Sequence, residues 1–139
     1  MVSDIPEDLF YTQYHQWVRI DEEEEIIAVG LTDYAQEFLG DIVFVETPEI
    51  DLEIEEGQSC GVIESVKTAT DIFAPLNGKI LDTNPELSST PDTINNDPYE
   101  DGWLFTMQPD DIEDCEELMS ANTYEQMLEE EEEDIDDDY

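Results

Sequence analysis

Two apolar pairs, Val62-Ile63 and Ile72-Phe73, stand nearly symmetrically about Lys67. A chain written this way folds back on itself, so the spacing predicts an antiparallel hairpin over 59–81 with Lys67 close to its tip. Pro75-Leu76-Asn77-Gly78 supplies turn chemistry through its Asn-Gly pair. A second hairpin is predicted upstream, where Trp17-Val18-Arg19-Ile20 and Ile26-Ile27-Ala28-Val29-Gly30 flank the acidic run Asp21 to Glu25. Asp41 to Thr47 reads as a strand stopped before Pro48, Leu52-Glu53-Ile54 alternates, and Gly57 turns. Thr32 is placed to cap a short helix that ends at Leu39 and is closed by Gly40. Residues 84–101, rich in Pro, Ser, Asn and Asp, read as a long surface loop before a last strand from Gly102 to Met107. Two helical stretches follow: Ile112 to Met119, and one capped by Ser120 with Tyr124, Met127 and Leu128 on its apolar face. About seven or eight short strands with helices at the end predict a mainly β fold, a small antiparallel sandwich or barrel. Residues 1–128 form the expected single domain, and the acidic run 129–139 is its helix end or a solvated tail.

Charge decides whether such a pattern can fold. The 139 residues carry 41 Asp and Glu against 3 Lys and Arg, a formal net charge of -38. The nine acids of 129–139 account for little of it, since their removal leaves -29. High net charge with few apolar residues marks disorder. Here Ile, Leu, Val and Phe make up 35 of 139 residues, about 25% and above the disorder threshold. So few bases exclude nucleic-acid binding through a basic patch and attachment to an anionic membrane. Cys60 and Cys115 stand 55 positions apart with no CxxC, which predicts free thiols in a reducing cytoplasm. No apolar run is long enough to span a bilayer, and Met1 leads into an acidic stretch rather than a basic leader.

Enzymatic chemistry finds little to work with. The only histidine, His15, would have to serve any Ser-His-Asp or Cys-His arrangement, and GxSxG, GxGxxG and GxxxxGK[ST] motifs are absent. His15 is read as packed or hydrogen-bonded near Trp17 rather than as a metal ligand, since it has no histidine partner. Trp17, Trp103, Phe44 and Phe73 are read as core, and Gly30, Gly40, Gly57, Gly78 and Gly102 as turn or helix-end residues. Lys67 and Lys79 are two of only three bases, and both lie in the hairpin region. A gatekeeper lysine or a surface partner for Glu64 and Asp71 would explain Lys67 at about 0–1 kcal/mol.

The motif around it suggests more. Glu64-Ser65-Val66-Lys67-Thr68, followed by Phe73-Ala74-Pro75-Leu76-Asn77-Gly78-Lys79-Ile80, resembles the lipoyl-lysine hairpin of the glycine cleavage system H proteins. His15-Gln16-Trp17-Val18 is similar to that family's His-Glu-Trp-Val. Val29 to Gln36 and Leu39 to Val45 look like its first helix and following strand, and Tyr99-Glu100-Asp101-Gly102-Trp103 matches its Tyr-Glu-Asp-Gly-Trp segment. The resemblance covers about residues 8–128.

It implies a barrel-sandwich hybrid fold of the lipoyl/biotinyl type and a carrier rather than an enzyme. Lipoate would be attached to Lys67, with Glu64, Ser65 and Val66 as the flanking motif. The implied partners are the glycine decarboxylase (P protein), the aminomethyltransferase (T protein) and dihydrolipoamide dehydrogenase (L protein), together with a lipoate-protein ligase or lipoyl/octanoyl transferase. The carrier would work as a monomer. Asp71 matches an acid of the cleft that shelters the loaded arm. Gln16 stands where the family has the cleft glutamate, and Tyr14 where it has a small residue. A neutral carbonyl holds an amine less firmly than a carboxylate does, so a weaker grip on the loaded arm is expected. Three other readings share parts of the pattern: a biotin carrier, whose lysine is usually flanked by methionines, a relay protein in lipoate metabolism, and an unmodified acidic interaction protein. The acidity itself fits a proteome adapted to high salt, where the Debye length is about 3 Å at 1 M, or deliberate supercharging.

Overall fold

The structure, a computed structural model, describes residues 4–137, and side chains as far as residue 131. Among the described residues nine strands form two antiparallel sheets: β1 (Phe10–Tyr11), β2 (Gln16–Asp21), β3 (Ile26–Leu31), β4 (Ile42–Glu46), β5 (Glu53–Ile54), β6 (Ser59–Ser65), β7 (Ala69–Phe73), β8 (Gly78–Thr83) and β9 (Phe105–Pro109). Six strands order as β1-β2-β3-β9-β8-β5, and three as β4-β6-β7. The expected two-sheet, mainly β architecture is present, with no ladder closing the sheets into one barrel among the described strands.

Period-two alternation explains the two cores. On β2 and β3, Val18, Ile27, Val29 and Leu31 point to one face and join Ile63, Ile72, Ile80, Phe105 and Met107 between the sheets. Trp17 points to the other face and packs with Tyr11, Tyr99, Tyr124 and Leu128. Its indole lies across Gly30, where a Cβ would come within 2.5 Å of the ring. Gly30 is therefore set by close approach within a strand, not by a turn.

Helix α1 (Asp33–Leu39) begins as expected, with Thr32 Oγ1 accepting from the Ala35 N–H at 3.2 Å, and ends at Gly40 with φ 77°. That backbone conformation is open to glycine and strained for other residues. Helix α3 (Ala121–Asp137) starts with the Thr123 N–H donating to Ser120 Oγ at 3.2 Å and passes residue 128 without a break.

Several expectations are corrected. Asn77-Gly78 does not close a hairpin, because β7 and β8 lie in different sheets and the segment crosses between them. Residues 84–101 are no plain surface loop. They hold a 3-10 turn, Pro85–Ser88, and a short helix α2 (Thr93–Asn96), which bury Leu87 and Ile94. The polar residues that suggested solvent are the ones tying this segment down: Asn84 caps the 3-10 turn and donates to the carbonyls of Asp101 and Trp103. The last strand begins at Phe105 rather than Gly102, and the helical stretch expected from Ile112 to Met119 is a 3-10 helix that ends at Glu117. Phe44 is not core. A bulge between Ile42 and Phe44 breaks the alternation of β4 and leaves Phe44 half exposed.

Candidate functional site: a lysine-bearing hairpin beside a cleft

β6 and β7 pair as predicted, with Ile63 opposite Thr70 and Glu64 opposite Ala69, so residues 66–68 form the tip. Ser65 organises it. Its N–H donates to the Thr68 carbonyl at 2.8 Å, and its Oγ accepts from the N–H groups of Lys67 and Thr68 at 3.2 and 3.1 Å. The tip is also fastened to a neighbour, since the Val66 N–H donates to the Asp41 carbonyl at 3.0 Å.

That neighbour, the turn between α1 and β4, is itself pinned by α2. Asn95 Oδ1 accepts from the Ile42 N–H at 3.0 Å, and Asn95 Nδ2 donates to Gln36 Oε1 and the Gly40 carbonyl at 3.0 and 2.8 Å. Lys67 is exposed and its stem leans back over Gly40, where a Cβ would lie 3.3 Å from Lys67 Cε. Arg19 pairs with Glu100 at 3.4 Å and Lys79 with Asp51 at 3.6 Å, but Lys67 makes no ion pair with a described carboxylate. Neither Glu64 nor Asp71 lies close enough to be its partner, which removes the surface-pair reading.

From Thr68 a cleft of about 510 Å³ runs between the hairpin, α1, the β1–β2 turn and α3. Leu31, Ala35, Phe38 and Leu39 give it apolar walls, while Asp71 and Glu131 bring carboxylates to its lining. Of the residues expected there, Asp71 and Tyr14 line it, and Tyr14 stacks on Phe73 with ring centroids 4.5 Å apart. Gln16 does not. It is 1% exposed, with Oε1 accepting from the Phe73 N–H at 2.9 Å and Nε2 donating to the Phe73 carbonyl at 2.7 Å. Both ends of its amide are thus spent joining the β1–β2 turn to the end of β7. The expected role for Gln16 as an acceptor in the cleft is corrected accordingly.

His15 holds the opposite wall, packed against Tyr34 and hydrogen-bonded to Tyr124, the latter in the same cluster as Trp17. Its backbone has φ 63°, and its ring lies near Tyr34 and Tyr124. The hydrogen bonds assign the protons along a chain. The Glu131 carboxylate, 3.3 Å away, can only accept, so the neutral His15 ring donates from Nε2 and accepts at Nδ1 from the Tyr124 hydroxyl at 2.8 Å. The Tyr124 hydroxyl oxygen is then left to accept from Thr32 Oγ1 at 2.8 Å. Burial pushes the Tyr124 hydroxyl well above the usual phenol range, which keeps it a donor. Burial also lowers the His15 pKa, and the Glu131 carboxylate opposes part of that shift. The imidazole is neutral at physiological pH.

Glu131 was hidden from sequence reasoning because it lay inside a run of acids. The spacing Tyr124, Leu128, Glu131 places the three on one helical face. Cys60, near the hairpin in sequence, is held in the interior edge of β6, and burial pushes its thiol up to about 12. It is not poised as a thiolate for exchange with a nearby disulfide.

An exposed lysine on a fixed hairpin tip, with no described carboxylate partner and an apolar cleft beginning at the next residue, is the arrangement of a carrier domain. Comparison with known proteins names its family. The family profile described as Glycine cleavage H-protein matches residues 9–131. The glycine cleavage system H protein of Anaeromyxobacter sp. (strain K) is 47% identical over 129 residues, covering 93% of this chain and 99% of that protein. That of Thermus thermophilus is 48% identical over 128 residues, covering 92% and 98%. Among solved structures, a glycine cleavage system H protein from Mycobacterium marinum superposes with a TM-score of 0.81 at 39% identity, covering 89% of this chain and 98% of that one. The chain belongs to the glycine cleavage H-protein family, whose members are lipoyl carriers of the glycine cleavage system.

Proposed function

We propose that this protein carries lipoate on Lys67 and shuttles the aminomethyl group of glycine from the P protein to the T protein, with the L protein restoring the arm. The observation that supports this most is Lys67 itself. It is the one base without a described carboxylate partner, set on a tip fixed by Ser65 and Asp41, and it stands at the mouth of a cleft of about 510 Å³. The apolar walls and the adjacency of Thr68 to Lys67 suit an extended arm folding back from the tip.

When bound, the dithiolane supplies the disulfide that accepts the aminomethyl group, and this chain supplies position and shelter. Ser65 and Val66 hold the tip through backbone hydrogen bonds, and Glu64 completes the motif on the exposed side of β6. Leu31, Ala35 and Phe38 exclude water from the arm, while Asp71 and Glu131 present carboxylates to a cationic amine. Tyr14, stacked on Phe73, forms the rim in place of the small residue of the family pattern. Among the described residues lining the cleft none is arranged as nucleophile and base, in keeping with a carrier whose chemistry is done by its partners. A lipoate ligase or lipoyl/octanoyl transferase would modify it in the cytoplasm, as a monomer whose free Cys60 and Cys115 stay reduced.

The test is carboxyl exchange between bicarbonate and glycine in the presence of P protein. The lipoylated chain should support exchange and the Lys67→Ala chain should not. Full lipoylation without exchange would favour the relay role in lipoate metabolism instead.

A further inference from the structure

In a molecule whose surface is so largely acidic, only five large apolar side chains are strongly exposed among the described residues: Phe38, Val43, Phe44, Ile50 and Val66. Four of the five lie on segments that adjoin the Lys67 tip. Val66 adjoins Lys67. Phe38 stands two residues before Gly40, over which the Lys67 stem lies. Val43 and Phe44 sit on the strand whose register places Ile42 opposite Ser65 and Phe44 opposite Glu64. The bulge in β4 turns both of these side chains outward, where regular alternation would have buried one of them. Exposed acids surround this face: Glu37 and Asp41 on one side, Glu46 and Glu64 on the other. Nothing in the core requires Val43 and Phe44 to be apolar, and exposed apolar patches mark interaction sites.

We infer that the face made by Val43, Phe44 and Val66 is the docking surface for the enzyme that acylates Lys67, a partner presenting apolar side chains within a basic rim. This rests on the carrier reading above. Two observations select that occupant. A second copy of this chain would bring the same acidic rim against itself, and like charges across an interface are strongly disfavoured. Enzymes acting at the far end of a loaded arm need not touch the tip, whereas the acylating enzyme must close around Lys67 Nζ. The amide forms between Nζ and the carboxyl carbon of an acyl-adenylate, with AMP leaving and Nζ giving up its protons to solvent. Because the stem leans over Gly40, an active site that encloses Nζ also covers the α1–β4 turn and the start of β4.

The unmodified full chain, a lipoate-protein ligase, ATP and lipoate suffice for the test. Val43→Ser and Phe44→Ser should each raise the KM for the chain about tenfold, as loss of an apolar anchor from a docked face does. The kcat and thermal midpoint should stay near those of the parent. Ile50→Ser, an equally exposed apolar position beside β8, should leave KM unchanged. Added salt should raise KM for the parent chain, because the rim contacts are electrostatic. Normal acylation with unchanged KM in both variants would overturn this proposal and leave the carrier reading intact. Failure of the parent chain to be acylated at all would overturn both. Sedimentation showing a dimer that Phe44→Ser dissociates would also overturn it, in favour of a second copy as the occupant.

Discussion

Removing a single oxygen at Tyr124 should loosen the far wall of the cleft. The ring is fully buried and stacks on Tyr11 with centroids 4.7 Å apart and planes 5° apart. Tyr124→Phe keeps that packing and deletes only the hydroxyl. Two buried hydrogen bonds are lost, the one accepted from Thr32 and the one donated to His15, both 2.8 Å. At about 1 kcal/mol each the variant should lose about 2 kcal/mol of stability. A chain of 139 residues unfolds with an entropy of about 0.29 kcal/mol/K, so the midpoint should fall by about 7 °C. Urea unfolding followed through the fluorescence of buried Trp17 would measure the loss. In a His15→Asn background about half of it should disappear, because one of the two partners is already gone. A loss below about 0.5 kcal/mol, or one unchanged in the His15→Asn background, would refute the hydrogen-bonded chain through Thr32, Tyr124 and His15.

Three further outcomes can be checked on the unmodified chain. Burial lowers the His15 pKa from its ordinary 6.5, so the unfolded chain binds the proton more readily. That contribution to stability is complete above about pH 6.5 and is lost as pH falls below it. Unfolding free energies should show this slope in the parent and lack it in His15→Asn, a residue that tolerates the positive φ; parallel pH profiles would contradict it. Gln16→Glu should cost about 1–3 kcal/mol at neutral pH, because a carboxylate cannot donate to the Phe73 carbonyl that Gln16 Nε2 meets at 2.7 Å. Parent-like stability in urea would show that residue 16 is not bound as described. Finally, a net charge of -38 should make the thermal midpoint rise with salt, and a flat midpoint between about 0.1 and 2 M KCl would remove self-repulsion from the account.

The hairpin was legible because its signal is local. Two apolar pairs about a lysine define both the pairing and the tip, and Thr32 and Gly40 mark the ends of α1 by capping chemistry alone. What escaped reading depends on contacts far apart in sequence. Asn95 looks like loop composition until the fold sets it against Gln36, Gly40 and Ile42. The Asn77-Gly78 pair carries a hairpin signal, yet it crosses between sheets, and Gly78 is needed because it packs against the Gln108 carbonyl. Phe44 reads as core by hydropathy because a bulge cannot be seen in an apolar run. Position 16 was the subtlest case. The family pattern placed it in the cleft, whereas its amide geometry, with one donor and one acceptor, fits the two backbone groups of Phe73 better. Glu131 was one acid among many until α3 brought it back to His15.

The central claim is that Lys67 is the arm of a carrier, and the intact mass of the chain after incubation with a lipoate-protein ligase, ATP and lipoate tests it most directly. The account predicts a gain of one lipoyl group on the parent chain and none on Lys67→Ala, with Lys79, paired to Asp51, left unmodified in both. No gain on the parent, or a gain that survives Lys67→Ala, would contradict it.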